Sequence, residues 1–214
     1  MQKNRIDIIT MGCSKNLVDS EALMRLLGRK GYDVHHDADS PSGEYVIVNT
    51  CGFIGDAKEE SINTILELTE AKATGQIGNL YVMGCLAERF MADLVQELPE
   101  VDKFYGKFNW KDLLHDLGKS YDYSISNERF LTTPSQYPYI KISEGCNRFC
   151  AFCAIPLITG RHQSVPMETL LSEVKPLVQF SKNLNILFFS LRELISSLYS
   201  SLFLMASSPR PIFF

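Results

Sequence analysis

The sequence lacks a strong excess of either charge. It contains 21 lysine and arginine residues and 25 aspartate and glutamate residues, which gives a formal net charge of −4. A chain with this balance has no overall electrostatic attraction for the phosphate backbone of nucleic acid. The composition therefore gives no support to a nucleic-acid-binding function, although it does not exclude a basic patch on one face.

The sequence also lacks apolar segments of the lengths that secretion or membrane insertion requires. Its first residues, MQKNRIDIITMGC, contain no apolar stretch long enough for a signal peptide. The longest uncharged run, Leu194 to Pro209, is too short and too rich in serine for a transmembrane helix, which needs about 20 apolar residues. We therefore expect a cytoplasmic protein with no membrane partner.

Six cysteines are present, and a cytoplasmic location determines what they are expected to do. Thiols stay reduced in the cytosol, so metal binding or redox chemistry is favoured over a disulfide framework. Three of the cysteines are isolated in the first half of the chain, and the other three lie within the short stretch CNRFCAFC. This distribution is unlike that of a small secreted scaffold held together by disulfides.

Strand-like and helix-like patterns alternate through the first half of the chain, which is typical of an α/β layer fold. The clearest predicted strands are Arg5–Gly12, Glu44–Thr50 and Asn79–Gly84. A helix is predicted after each of them, and Asp56 is a candidate N-cap for the second helix. Farther on, the polar segment Ser120–Pro138 predicts a linker, YIKIS predicts a strand, and Pro166–Val178 predicts a helix.

Each isolated cysteine directly follows one of these predicted strands. We call the three residues the strand-end triad: Cys13, Cys51 and Cys85. The carboxyl ends of parallel strands lie along one edge of a sheet, where ligands bind, so the three side chains are expected to converge. Glycines lie next to them and would let the backbone approach a bulky group: Gly12, Gly52 and Gly84. One such cysteine alone is most simply interpreted as a small buried apolar residue, but the shared position favours a common metal site.

The close-spaced cysteines, which we call the triplet, are Cys146, Cys150 and Cys153. With Phe152 before the last cysteine, CNRFCAFC resembles the signature of radical S-adenosylmethionine (SAM) enzymes. The resemblance implies that the three thiolates hold three irons of a 4Fe–4S cluster, whose fourth iron is left for SAM, with Phe152 at the cofactor. Ligand spacing alone leaves a Cys3His zinc site open, with His162 as the fourth ligand.

Two sets of three cysteines in this order are similar to those of the methylthiotransferases, a family of radical SAM enzymes with two 4Fe–4S clusters. The resemblance implies that an N-terminal α/β domain binds the first cluster through the strand-end triad. A radical SAM barrel would bind the second cluster, and SAM, through the triplet. No catalytic side chain is assigned by this resemblance.

Three segments of the sequence resemble one branch of the family, which methylthiolates an aspartate of ribosomal protein uS12. The segments are MGCSKNLVDSE, VIVNTCGFI and YIKISEGCNRFCAFCAIP. The MiaB-like tRNA branch typically has Gln-Met-Asn after the first cysteine, where this chain has Ser14–Asp19. The resemblance implies uS12 as substrate, an electron donor such as flavodoxin or ferredoxin, and no requirement for nucleic acid. A tRNA adenosine methylthiotransferase and a non-catalytic zinc or iron–sulfur module stay open as alternatives.

The resemblance ends at Val178. The predicted domains are a cluster-binding domain at 1–135, the start of a radical SAM domain at 136–178, and a divergent or frameshifted tail at 179–214. The expected fold is thus a parallel-sheet α/β domain followed by the first β/α unit of an incomplete TIM-like barrel. Ser164-Val165-Pro166 stands where the family usually has Ser-Arg-Pro, which removes a cation near the site. We expect the first domain to carry its cluster and the chain to have reduced or no activity.

Overall fold

The computed structural model describes residues 1–53, 55–121, 129–133, 138–148, 150–180 and 187–188. For 176–180 and 187–188 it describes the backbone only. Within these ranges, no helix combines the length and the apolar character needed to cross a membrane.

Five parallel strands form the central sheet, in the order β2-β1-β3-β4-β5. Their bounds are Gln2–Thr10 (β1), Asp33–His36 (β2), Gly43–Thr50 (β3), Asn79–Gly84 (β4) and Lys103–Phe104 (β5). The predicted strands correspond to β1, β3 and β4, and they form the centre of the sheet. The edge strand β2 was not predicted, because its four residues, DVHH, carry no apolar run.

Helices cover both faces of this sheet. The first four are Ser14–Arg29 (α1), Gly55–Ala73 (α2), Cys85–Glu97 (α3) and Trp110–Asp116 (α4). Leucines of α1 and α4, including Leu27 and Leu113, are buried against one face, and Ile65 of α2 and Leu94 of α3 are buried against the other. The predicted parallel-sheet α/β class is confirmed. In a doubly wound sheet of this strand order, ligands bind beyond the carboxyl ends of β1 and β3, where the order reverses.

The three central strands end nearly in register. Thr10 is paired with Asn49, Asn49 with Met83, and Thr50 with Gly84. The backbone amide of Met11 also donates to the carbonyl of Asn49 at 2.9 Å. The residues that follow these strands therefore leave the sheet side by side.

Residues 138–180, which we call the triplet segment, contain shorter elements: Tyr139–Ile140 (β6), Ser143–Glu144 (β7), Ile155–Thr159 (α5), Gln163–Ser164 (β8) and Met167–Phe180 (α6). The predicted strand YIKIS is divided, since β6 pairs in parallel with Leu187–Phe188 (β9) and β7 pairs antiparallel with β8. The short strand β9 falls in the tail, where no barrel-like order was predicted. The rest of the tail lies outside the described residues, and the frameshift stays a prediction.

One helix start differs from its prediction. We predicted Asp56 as the N-cap of α2, but the helix begins at Gly55 and includes Asp56 in its first turn. A carboxylate in the first turn is still favourable, because it lies at the positive end of the helix dipole.

A group of four buried or partly buried charged side chains joins the triplet segment to the sheet. We call it the ion cluster: Asp19, Lys107, Lys141 and Glu144. Lys107 Nζ lies 3.6 Å from Asp19 Oδ2 and 3.5 Å from Glu144 Oε1. Lys141 forms ion pairs with Asp19 and with Glu144 Oε2, the latter at 3.0 Å. These ion pairs connect helix α1, the loop after β5 and the start of the triplet segment.

Glu21 of α1 binds the described part of the predicted linker through hydrogen bonds and an ion pair. Its carboxylate accepts hydrogen bonds from the backbone amide and hydroxyl of Thr132, at 2.8 and 2.9 Å. The same carboxylate pairs with Arg129 at 3.3 Å, and Arg129 pairs with Glu173 of α6 at 2.9 Å. Residues 129–133 are therefore fixed between α1 and α6, whereas 122–128 and 134–137 lie outside the described residues.

The ion cluster shifts the pKa values of Glu144 and Lys141. Burial would raise the pKa of Glu144, but Lys141 and Lys107 outweigh it and hold the pKa below its ordinary value of 4.5. Burial would lower the pKa of Lys141, but Asp19 and Glu144 outweigh it and hold the pKa above 10.5. A lowered carboxyl pKa stabilises the fold above the unfolded-state pKa, and this stabilisation is lost as the pH falls through the folded-state value.

We predict that Glu144→Gln lowers the free energy of unfolding by roughly 2 kcal/mol near neutral pH, because a neutral amide leaves the buried Lys107 and the partly buried Lys141 with less compensation. The difference from the parent protein should shrink as the pH falls from the unfolded-state pKa of about 4.5 through the lower folded-state pKa, below which Glu144 is protonated in both states of the parent. Urea unfolding of the variant and the parent at several pH values measures this difference in the free energy of unfolding. The control is Glu97→Gln at an exposed position of α3, for which we expect no difference beyond about 0.5 kcal/mol. A Glu144 effect that does not depend on pH would contradict the prediction.

Candidate metal centre

The strand-end triad converges on one cavity, as the strand pattern predicted. The cavity has a volume of about 760 Å³, and all three cysteines line it. Cys13 precedes α1, Cys51 follows β3, and Cys85 is the first residue of α3. This volume lies within the roughly 300–1,000 Å³ that is usual for small-molecule and cofactor sites. The fold thus brings together three thiols that are far apart in the sequence.

The neighbouring glycines allow close contacts between the strand ends that we did not predict. A Cβ on Gly12 would lie 2.5 Å from Cys51 Cβ and 2.7 Å from Cys51 Sγ. One on Gly52 would lie 2.7 Å from the backbone of Cys85, and one on Gly84 would lie 2.6 Å from the carbonyl oxygen of Thr50. The glycines therefore let the three strand ends approach one another, and their approach to a bulky group stays a prediction.

Cys85 lies in a setting that favours its neutral form. Burial raises the pKa of its thiol to about 11, Cys13, Cys51 and Asp19 act in the same direction, and Lys107 opposes them. A metal ligand must lose this proton, so Lys107 is the nearby cation that favours the ligating thiolate.

Sequence reasoning missed the charged residues of the cavity wall. Lys15, Lys107 and Glu144 line it together with the triad, as do Asp56 and Glu60. Lys15 Nζ lies 3.9 Å from Glu144 Oε1, so Glu144 is shared by two lysines of the wall. Their sequence context gave no signal, because Lys107 and Glu144 become neighbours only when the triplet segment docks on the sheet.

The triplet lies in a loop that is closed at its base. The strands β7 and β8 pair on either side of it, and the amide of Cys146 donates to the carbonyl of Gly160 at 3.1 Å. The amide of Cys153 donates to the carbonyl of Cys150 at 3.0 Å, which places these two cysteines in one turn. All six cysteines of the chain are free thiols in this structure.

The helix that follows the triplet forms part of the wall of the cavity that the strand-end triad lines. Helix α5 begins two residues after Cys153, and its residues Ile155, Ile158 and Thr159 line the cavity. Phe152, the predicted cofactor-binding residue, is 94% exposed. The two cysteine sets are thus on neighbouring elements, although the triplet itself does not line the cavity.

Neither cysteine set is arranged around one metal ion. Within the ranges that the structure describes, no group of three or more His, Cys, Asp or Glu side chains is placed to hold a single ion. The backbone amide of His162, the alternative zinc ligand, donates to Asn147 Oδ1 at 3.1 Å. An iron–sulfur cluster makes a different demand, because each thiolate binds a different iron.

Comparison with known proteins agrees with the geometry. Residues 5–106 match the model of a family described as "Uncharacterized protein family UPF0004". The chain is 65% identical over 179 residues to a ribosomal protein uS12 methylthiotransferase RimO of Porphyromonas gingivalis, covering 84% of this chain and 41% of that protein. Over most of its length the chain is thus similar to methylthiotransferases.

Other relatives of the methylthiotransferase family carry the same name. The protein of Parabacteroides distasonis is 64% identical over 178 residues, with 83% of this chain and 41% of the relative covered. That of Christiangramia forsetii is 48% identical over 177 residues, with 83% and 39% covered. The chain therefore spans about two fifths of the length of these curated relatives.

A solved structure supports the fold alone. It is that of the cobalamin-dependent SAM radical enzyme OxsB with aqua-cobalamin and SAM bound, at a TM-score of 0.50 and 11% sequence identity. The likeness covers 82% of this chain and 31% of that one. The α/β arrangement thus recurs in a radical SAM enzyme of different sequence.

We predict that Gly12→Ala destabilises the protein by about 1–3 kcal/mol more than Gly31→Ala, as overpacking does. The two glycines have nearly the same backbone angle, φ of +88° and +91°, but nothing lies within 4 Å of a Cβ on Gly31. The difference between the variants therefore isolates the contact with Cys51. Urea unfolding of the reduced, metal-free protein measures it, and equal losses in the two variants would contradict the prediction.

Proposed function

We propose that this chain carries the cluster-binding region of a radical SAM methylthiotransferase that modifies an aspartate of ribosomal protein uS12. The observation that carries the proposal is the convergence of Cys13, Cys51 and Cys85 on one cavity whose wall includes the helix that follows the triplet. The 65% identity to a protein named as a uS12 methylthiotransferase supports the choice of substrate.

The residues present fit the cofactors of that chemistry. The strand-end triad offers three thiols to one 4Fe–4S cluster, and the triplet, with Phe152 beside it, offers three thiols to a second cluster and SAM. In each case three thiolates leave a fourth iron for a small ligand. When bound, the second cluster and SAM supply an electron and a radical precursor that allow hydrogen abstraction from an unactivated carbon.

The chain's own residues would prepare the first site for its cluster. Apolar side chains, including Phe53, Ile155 and Ile158, form part of the wall around it. Lys107 supplies a positive charge that offsets the charge of the thiolates. The ion cluster keeps Lys107 at the wall by pairing it with Asp19 and Glu144.

The partners follow from the same proposal. The substrate would be uS12, and the reducing equivalents would come from a donor of the flavodoxin or ferredoxin kind. Since these clusters and the ribosome share the reducing interior of the cell, we propose a cytoplasmic location. The sequence gives no reason to require nucleic acid.

We expect about eight irons and eight sulfides per chain after anaerobic reconstitution, as two 4Fe–4S clusters require. Replacing Cys13, Cys51 and Cys85 by alanine should leave about four irons, and so should replacing Cys146, Cys150 and Cys153. Metal and sulfide analysis of the three proteins measures this, and each triple variant is the control for the other. Zinc without sulfide in the parent protein would contradict the proposal.

The substrate is tested with a fusion protein, because the curated relatives are longer. Residues 1–178 of this chain are joined to the remaining part of the Porphyromonas gingivalis relative and supplied with SAM, sulfide, a reductant and either uS12 or tRNA. We expect uS12 to gain the mass of one methylthio group, with no gain in tRNA. The same fusion with Cys146→Ala should be inactive. Modification of tRNA instead of uS12 would overturn the choice of substrate.

A further inference from the structure

One buried side chain contacts all three strand ends that carry the triad. It is Asn16, which is completely buried in the first turn of α1, three residues after Cys13. An amide buried in this way is costly unless its donors and its acceptor are all satisfied.

The contacts of Asn16 satisfy its side-chain amide. Its Nδ2 donates to the carbonyl of Met11 at 3.1 Å and to the carbonyl of Thr50 at 2.9 Å. Its Oδ1 accepts from Cys85 Sγ at 3.5 Å. Met11 is two residues before Cys13, and Thr50 directly precedes Cys51. One amide group therefore links the residues that position each of the three thiols.

The orientation of this amide is fixed by its partners. A flipped amide would turn Oδ1 towards two carbonyl oxygens and would lose both donated bonds. The backbone of Asn16 is held as well, since Asn49 Nδ2 donates to its carbonyl oxygen at 3.0 Å and to Ser20 Oγ at 3.0 Å. Neither the side chain nor the backbone of Asn16 can move without breaking a buried hydrogen bond.

We propose that Asn16 is the positioning residue of the strand-end triad, which sets the spacing of the three cysteines before a cluster binds. The inference rests on the proposed function, because it assigns the triad to a cluster. Asn16 contacts two backbone carbonyls and one thiol, so it acts through the cysteines rather than on a substrate.

The chain offers a control in Asn79, which is less buried than Asn16. Its Nδ2 donates to the carbonyl of Glu44 at 3.3 Å and so also joins neighbouring central strands, but at their opposite ends. Asn16→Ala and Asn79→Ala each remove an amide that bridges strands, and only the first removes it beside the cysteines. Both variants are made in a parent protein whose three triplet cysteines are replaced by alanine. The iron content then measures cluster binding at the strand-end triad alone.

For Asn16→Ala we expect at least a five-fold lower iron content after reconstitution, and an altered electron paramagnetic resonance signal from the reduced cluster that still forms. In the cluster-free protein we expect alkylation of the buried Cys51 to become at least five-fold faster, as mass spectrometry of native protein would show. Asn16→Asp keeps the shape but loses both donated bonds, so it should change in the same direction. Asn79→Ala should match its parent in all three measurements.

Thermal melting of each cluster-free variant separates positioning from general stability. The proposal is overturned if Asn16→Ala matches its parent in iron content, spectrum and alkylation, or if iron loss follows the melting temperature equally in Asn16 and Asn79 variants. If Asn16→Ala does not fold, Asn16→Ser, which keeps one donor, is measured by the same criteria. If the parent takes up no iron, the proposed function fails, and the alkylation rates still decide whether Asn16 positions the thiols.

Discussion

The parallel register of β1, β3 and β4 is the constraint on which the candidate centre depends. Because Thr10, Asn49 and Met83 lie across from one another, the chain leaves the sheet at three neighbouring points. A cysteine placed just after each strand then faces the same cavity. A slip of one strand by one residue would separate the thiols and exchange the buried faces of that strand.

Two features refine this constraint. Glycines at the strand ends allow contacts that a Cβ would prevent, as Gly12 does for Cys51. The ion cluster then brings the triplet segment against the same edge, so that α5 completes the cavity wall. A buried ion pair is weak support for stability in itself, because desolvation offsets much of the attraction. Its value here is geometric, since it places Lys107 beside Cys85.

Much of the fold was predictable from the sequence, because continuous apolar runs such as EYVIVNT and NLYVMG identify buried parallel strands. The position of the triad followed from the strand ends alone. The partners of the triad did not follow, since Asn16, Lys107 and Glu144 are ordinary polar residues in their local sequence. Their roles come from contacts between segments far apart in the chain, such as the one between Lys107 and Glu144, and a local pattern does not contain these contacts. Strand β2 was missed for a similar reason, as pairing with β1 and not apolar character defines it.

The central claim is that the three strand-end thiols hold an iron–sulfur cluster in the cavity they share. X-ray anomalous scattering at the iron edge, on crystals of the anaerobically reconstituted protein, tests it most directly. The account predicts an iron cluster bonded to Cys13, Cys51 and Cys85, with one iron free of cysteine. Iron only at the triplet, or zinc in place of iron between the three strand ends, would contradict it.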